Sequence, residues 1–406
     1  MKTVNLSGYA DPEFLRQFAP RMLVWLLAAE RDYLASQGVV LPALVEPAES
    51  PGAVTLDYDG LARVFQQAND LPKSLMDRLF LVKQMSSPHL VERILEAVEE
   101  RQLSLPVNPN ECSPADLATQ IYQLDPQLFR EIHAHLAVKR YRVFAYLMPR
   151  GRRRALALTA SVAGLERTLN SWYAAQGMDR SARVCQRQCG AELAFYVRHG
   201  RKVRREGAVC LKTCESESQI YRPEGYGLVV YHAGTGELRV HADSKKEQNL
   251  FRTAFGLHLF GDANYFQWNS YKFNLNILKT GRESLTWAGL PGIREVRLTE
   301  LGLAYGPDDD ARHHFAASDV YAEWTRMHCQ IPPEAQIRVA TFTVQLDGWD
   351  DPVSCTLRPT NCATFPEGTE VWLMPWLVRQ KMAQEPTDHP GDTEDLALEL
   401  LTAGQP

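Results

Sequence analysis

Residues 227–241 read GLVVYHAGTGELRVH, and this stretch decides the character of the second half of the chain. Two runs rich in β-branched and aromatic residues, Gly227 to Tyr231 and Glu237 to His241, flank a five-residue connection from His232 to Gly236. Two glycines in a connection of that length predict a β-hairpin. Directly after it, Ser244-Lys245-Lys246-Glu247 has the form of a capping box and predicts a helix running towards Gly256. Working outward, similar runs predict strands at Leu193–Val197, Gly207–Leu211, Tyr271–Ile277, Arg294–Leu301, Ile337–Leu346 and Val353–Arg358. Helices are predicted near Ala317–Met327 and Glu370–Lys381.

Before Gly177 the pattern is different. Apolar residues recur at three and four along Phe18–Ser36, Leu61–Phe65 and Leu75–Val82, as on one face of a helix. Ser87-Pro88, Ser113-Pro114 and Asp125-Pro126 each place a capping side chain before a proline suited to a first helical turn. A last helix is predicted from Ala155 to Trp172. The fold class is therefore α+β: an all-helical N-terminal half followed by a mixed or antiparallel β-sheet module with flanking helices. Expected domains are residues 1–180 (helical) and 181–382 (α+β), with 383–406 an acidic flexible tail.

The 406 residues carry 44 Lys+Arg against 49 Asp+Glu. That near-balance conceals a segregation. Residues 131–260 hold 22 basic and 11 acidic side chains, leaving 22 against 38 elsewhere. Such asymmetry speaks to partners rather than to fold. The basic central stretch, 139–205, contains two clusters. In the first, Lys139, Arg140 and Arg142 alternate with Tyr141, Phe144 and Tyr146, followed by Arg150, Arg152, Arg153 and Arg154. The second contains Arg198, Arg201, Lys202, Arg204 and Arg205. Arginine forks bond phosphate oxygens in pairs, and neighbouring aromatics can stack on unpaired bases. Arg150, Arg152, Arg153, Arg154, Arg201, Lys202, Arg204 and Arg205 are the expected phosphate contacts on DNA or RNA. The same surface would also suit an acidic protein partner.

The longest early apolar run, Met22 to Ala29, is far short of a membrane span, and MKTVNLSGYADPEF has no apolar core of a secretory signal. No membrane partner and a cytoplasmic setting are expected. Eight cysteines do not form a disulfide framework. Cys185, Cys189, Cys210 and Cys214 have the spacing C-x3-C-x20-C-x3-C, and four thiolates can hold a structural zinc. Zinc is the one cofactor the sequence allows for; otherwise none is expected. Asp308-Asp309-Asp310 with His313 and His314 is the densest local group of hard ligands, but it follows Gly306-Pro307 and reads as an exposed loop. Gly256 to Phe266, with two glycines and several aromatics, reads as core packing. P-loop, dinucleotide and serine-elbow motifs are absent, so no reaction is named.

Arg130 and His135, as R-x4-H, and Arg252 with His258, as R-x5-H, resemble the motif of HEPN ribonucleases, helical domains that cut RNA without metal. That resemblance implies an Arg holding phosphate and a His assisting proton transfer. The runs at Phe195–Gly200, Tyr221–Pro223, Glu237–Ala242 and Leu259–Asp262 resemble a set of bacterial proteins without an assigned activity. The likeness spans 193–301, with an echo at Arg358-Pro359-Thr360-Asn361, and implies a recurring bacterial module. The expected function is a non-catalytic nucleic-acid-binding or accessory protein using this basic central surface, with a bacterial defence assembly as the expected setting. The alternatives are a module docking an acidic partner and a metal-independent HEPN-like ribonuclease using Arg130 and His135.

Overall fold

The computed structural model describes residues 6–43, 55–66, 71–139, 143–150, 162–209, 215–269, 271–306, 311–349, 351–359, 361–366 and 369–384. The chain divides into two units, residues 1–136 with 207–218, and residues 137–206 with 219–406.

The first unit is helical: α1 (Pro12–Leu15), α2 (Pro20–Leu27), α3 (Arg31–Ser36), α4 (Tyr58–Gln66), α5 (Lys73–Met85), α6 (Val91–Glu100), α7 (Pro114–Leu124) and most of α8 (Pro126–Lys139). Two of the three expected caps form, at Ser113 and Asp125, whereas Ser87 precedes a 3-10 turn at Pro88–Leu90 without a side-chain cap bond. Ser113 accepts the Asp116 N–H at 3.1 Å while Asp116 accepts the Ser113 N–H at 3.3 Å, closing a capping box at α7. The Asp116 carboxylate also takes the Ala19 N–H at 2.9 Å, so one buried acid ties the starts of α7 and α2. Asp125 accepts the Leu128 N–H at 2.9 Å to start α8. Leu23, Leu27, Leu61, Phe65, Leu79 and Ile121 are among the side chains that fill the core.

Beyond α8 the chain forms β1 (Val143–Pro149), α9 (Val162–Ala175), β2 (Arg183–Cys189), β3 (Glu192–Gly200), β4 (Arg204–Val209), β5 (Ser216–Tyr221), β6 (Glu224–His232) and β7 (Leu238–His241), and all of these but parts of β4 and β5 belong to the second unit. It continues through α10 (Lys245–Phe260), β8 (Phe266–Trp268), β9 (Ile293–Tyr305), β10 (Ala311–Ala316), α11 (Val320–Arg326), β11 (Gln336–Leu346), β12 (Val353–Arg358), β13 (Cys362–Thr364) and α12 (Glu370–Arg379). Eleven of the described strands form one sheet in the order β10-β9-β11-β12-β13-β1-β7-β6-β3-β2, with β8 beside the far end of β1. Every described pairing in it is antiparallel. Strands β4 and β5 form a separate two-stranded ribbon. The α+β class holds, and the sheet is antiparallel rather than mixed.

Strand β1 is the seam of this unit. Its successive side chains point to opposite faces. Tyr146 packs with Phe273, Phe342 and Trp376 in one core. Leu147 packs in the other with Leu169 of α9 and Phe251 and Phe255 of α10. Strand β1 and helix α9 accordingly belong with the second unit, α9 through side chains such as Leu165 and Leu169 in its core. Phe144 and Tyr146 accordingly do not belong to a base-stacking surface: Tyr146 is fully buried and Phe144 half-buried.

Two smaller expectations also change. Tyr271–Ile277 forms no strand; Phe273 makes a single bridge to Ala383 and a 3-10 turn follows at Asn276–Thr280. Ala383, placed in the expected tail, is buried, while 385–406 lie outside the described residues. Gly256 to Phe266 does pack as core, with Phe260 stacked on Tyr265 at 3.9 Å.

Candidate functional site

Strand β3 alternates, and near its end it turns Arg198 outward and His199 inward. His199 pairs with Gly225 of β6, where a side chain has no room: a Cβ there would lie 2.6 Å from the imidazole. Tyr173 of α9 stacks on the His199 ring with centroids 4.2 Å apart and planes inclined by 12°. From the other side comes the start of α10. Ser244 caps the helix by accepting the Glu247 N–H at 3.2 Å. Glu247 does not return that bond to the cap residue itself but accepts the N–H of Asp243 at 3.0 Å. Its other carboxylate oxygen accepts the Tyr173 hydroxyl at 2.5 Å and lies 3.0 Å from His199 Nε2.

His199 and Glu247 are buried and Asp243 exposed, and one ligand atom from each lies within 4.8 Å of the others. Burial works to raise the Glu247 carboxyl, but the His199 ring, the Tyr173 hydroxyl and the Asp243 N–H outweigh it, and the group is held below its ordinary value. Tyr173 is pushed up by burial and by the adjacent Glu247 charge. A Glu ionised in the interior and a Tyr kept as donor match the hydrogen bond between them.

Around this buried group lies a ring of charge. Arg201 anchors its N–H on Pro223 O at 2.8 Å and sets its guanidinium 2.5 Å from Asp243. Arg222 lies 3.9 Å from Asp179, which accepts the Ser181 hydroxyl at 2.6 Å. The bond from Ser181 is the main reason the Asp179 carboxyl sits below its ordinary value, with Arg222 adding to it. Arg198 pairs with Glu224 at 3.1 Å. Beyond these pairs, Lys202, Arg204, Arg205, Lys245 and Lys246 are exposed and make no ion pair with a described residue.

The second basic cluster of the sequence therefore exists as a surface. Arg201 is half-buried against Asp243, while Lys202, Arg204 and Arg205 reach solvent. Of the first cluster, Arg150 is exposed at the end of β1, where its N–H meets Tyr265 O at 2.6 Å. Arg152, Arg153 and Arg154 lie outside the described residues. Cys185 is half-buried on β2 and Cys189 ends that strand; the Cys189 side chain, Cys210 and Cys214 lie outside the described residues. Arg130 is exposed on α8, and His135 is on the same helix with its side chain outside the described residues.

Arg252 and His258 serve packing instead of forming a pair. Arg252 donates to Phe266 O at 3.0 Å, and His258 bonds the Thr168 hydroxyl at 2.8 Å. His313 and His314 are exposed on β10 at the sheet edge, and Asp308, Asp309 and Asp310 lie outside the described residues. Sequence reading missed Tyr173, Asp243, Arg222 and the two lysines of α10. The capping box pointed at Lys245, Lys246 and Glu247, but only as a helix start. No family model matches the chain, and no curated protein matches it.

Proposed function

We propose that the protein binds nucleic acid, without catalysis, through the surface formed by the β3–β4 turn and the first turn of α10. The observation that carries this reading is the meeting of two cationic segments far apart in sequence. The Arg201–Asp243 contact brings Lys202, Arg204 and Arg205 to the end of the sheet where Lys245 and Lys246 open α10. Phosphate is favoured there twice, by the side-chain charges and by the N–H groups of a helix start. Val203 in the turn and Ile220 and Tyr221 on β5 are exposed, apolar surface on which an unpaired base can rest.

The three arginine–carboxylate pairs in the ring support a second reading, an acidic protein partner, because they show this surface already meeting carboxylates. Exposed pairs of this kind contribute about 0–1 kcal/mol, so they do not keep phosphate away.

Fluorescence anisotropy of labelled single- and double-stranded DNA and RNA, titrated at several salt concentrations, tests the proposal. On a duplex, five phosphate contacts predict a log–log salt slope of roughly −4.5. The Lys202/Arg204/Arg205→Glu variant loses that binding. No binding at low salt, or equal binding by the variant, overturns the reading and leaves the surface to an acidic protein.

A further inference from the structure

The buried group beneath the cationic surface has a feature that nucleic-acid binding does not use. His199 is 4 % exposed, and its Nε2 lies 3.0 Å from a Glu247 oxygen yet makes no hydrogen bond to a described residue. Its other nitrogen, Nδ1, lies 3.4 Å from the carbonyl of Gly200. With the ring proton on Nδ1, Nε2 directs a lone pair into the space that two carboxylates, Glu247 and Asp243, also face. In that tautomer the lone pair and the carboxylates repel one another, and either a proton on Nε2 or a metal cation between the three groups removes the repulsion.

We propose that His199 Nε2, Asp243 and Glu247 form a site for a zinc-type divalent cation. One imidazole nitrogen and two carboxylates are a donor set that zinc accepts, at about 2.0–2.2 Å for each bond. The supporting contacts are those a metal ligand needs. A backbone carbonyl faces the second ring nitrogen, the stacked Tyr173 holds the ring plane, and the Tyr173 hydroxyl orients Glu247. Asp243 is exposed and stands at the helix start, so it is the ligand able to adjust.

The nature of the cation follows from what opposes it. The positive end of α10, Lys245, Lys246 and the Arg201 guanidinium all disfavour a cation held by charge alone. Magnesium and calcium depend on such oxygen-only attraction, whereas zinc gains from the imidazole. Arg201 competes directly, since its guanidinium sits 2.5 Å from Asp243. This inference stands apart from the nucleic-acid reading, because the metal ion alone is the probe.

The experiment is calorimetric titration of the chelator-treated full-length chain with zinc chloride, followed by cobalt(II) as a visible probe. One zinc is expected, with Asp243→Asn weakening it at least about tenfold, the scale on which altered metal shells act. Arg201→Ala, which removes the competing cation, is expected to bind zinc several-fold more tightly, an effect on the scale of a modest electrostatic coupling. Cobalt should show visible bands without thiolate charge-transfer absorption. Asp243 is exposed, and circular dichroism verifies that its variant folds. Absence of zinc binding overturns the proposal. So does equal binding by Asp243→Asn, or a cobalt spectrum with thiolate character, either of which moves the metal elsewhere.

Discussion

Two arginines of the second unit are paired with carboxylates, and they do opposite things. Arg239 on β7 is buried between Glu192, at the start of β3, and Glu370, at the start of α12, the latter at 2.6 Å. Burial alone would lower its basicity, but the two acids together raise it above the ordinary arginine value. Tyr146 donates to the same Glu370 at 3.2 Å, and Lys272 pairs with Glu237 at 2.7 Å close by. Arg201, by contrast, meets one carboxylate at a site one-third open to water. The first pairing is spent on holding β3, β7 and α12 together. The second leaves a charge available to a ligand. Pairing by itself therefore says little about function; solvent access decides which role an arginine plays.

The largest expected effect comes from breaking the buried pairing. Arg239→Ala leaves Glu370 and Glu192 facing each other without a cation and should cost about 3 kcal/mol, read from the urea midpoint of unfolding. The 39 % exposure of the Glu192 side chain sets this at the low end of the range for buried pairs. An unchanged midpoint would erase the distinction drawn between the two arginines.

Glu247→Gln should come next, at roughly 1–3 kcal/mol near neutral pH, because it weakens acceptors used by Tyr173 and the Asp243 N–H. The pH dependence has a definite sign. The folded-state value lies below the ordinary 4.5, so Glu247 adds stability above that value, and the addition is lost as pH falls through the lower folded value. Thermal melts from neutral pH down through 4 should show the wild type approaching the variant only at the acid end. Parallel curves would mean that the carboxyl is not held ionised by its neighbours.

Arg201→Ala is expected to change stability by less than about 1 kcal/mol, since its pair is partly exposed. Its effect should appear instead in zinc binding, which tightens once the guanidinium no longer competes for Asp243. Smallest of all is Lys246→Ala, which should leave stability alone and flatten the salt slope of duplex binding by about 0.9. A Lys246→Ala slope equal to the wild type would remove α10 from the proposed surface and sharpen it to the β3–β4 turn.

The local signals in the chain were legible where one short stretch sufficed. The hairpin between β6 and β7, the Ser113 and Ser244 caps and the limits of β12 all follow from neighbouring residues. Strand β1 was hidden for a physical reason. It is apolar towards both faces, with Phe144 and Tyr146 one way and Ala145 and Leu147 the other, so it carries no period-two alternation. Arginines on either side then made its aromatics look like a surface. The strand β2 was hidden by its opposite character, since RVCQRQC is largely polar and lies at the edge of the sheet.

By itself, the sequence determined the α+β class, the helical start, the hairpin and the concentration of positive charge in the middle of the chain. These depend on periodicity, capping and composition, which are properties of neighbours. Tertiary structure alone decided that Lys202 and Lys245 share one end of a sheet, that Tyr146 is core, and that His199 faces Glu247. Those relations join residues 43 or more positions apart, and strand pairing rather than chain proximity brings them together.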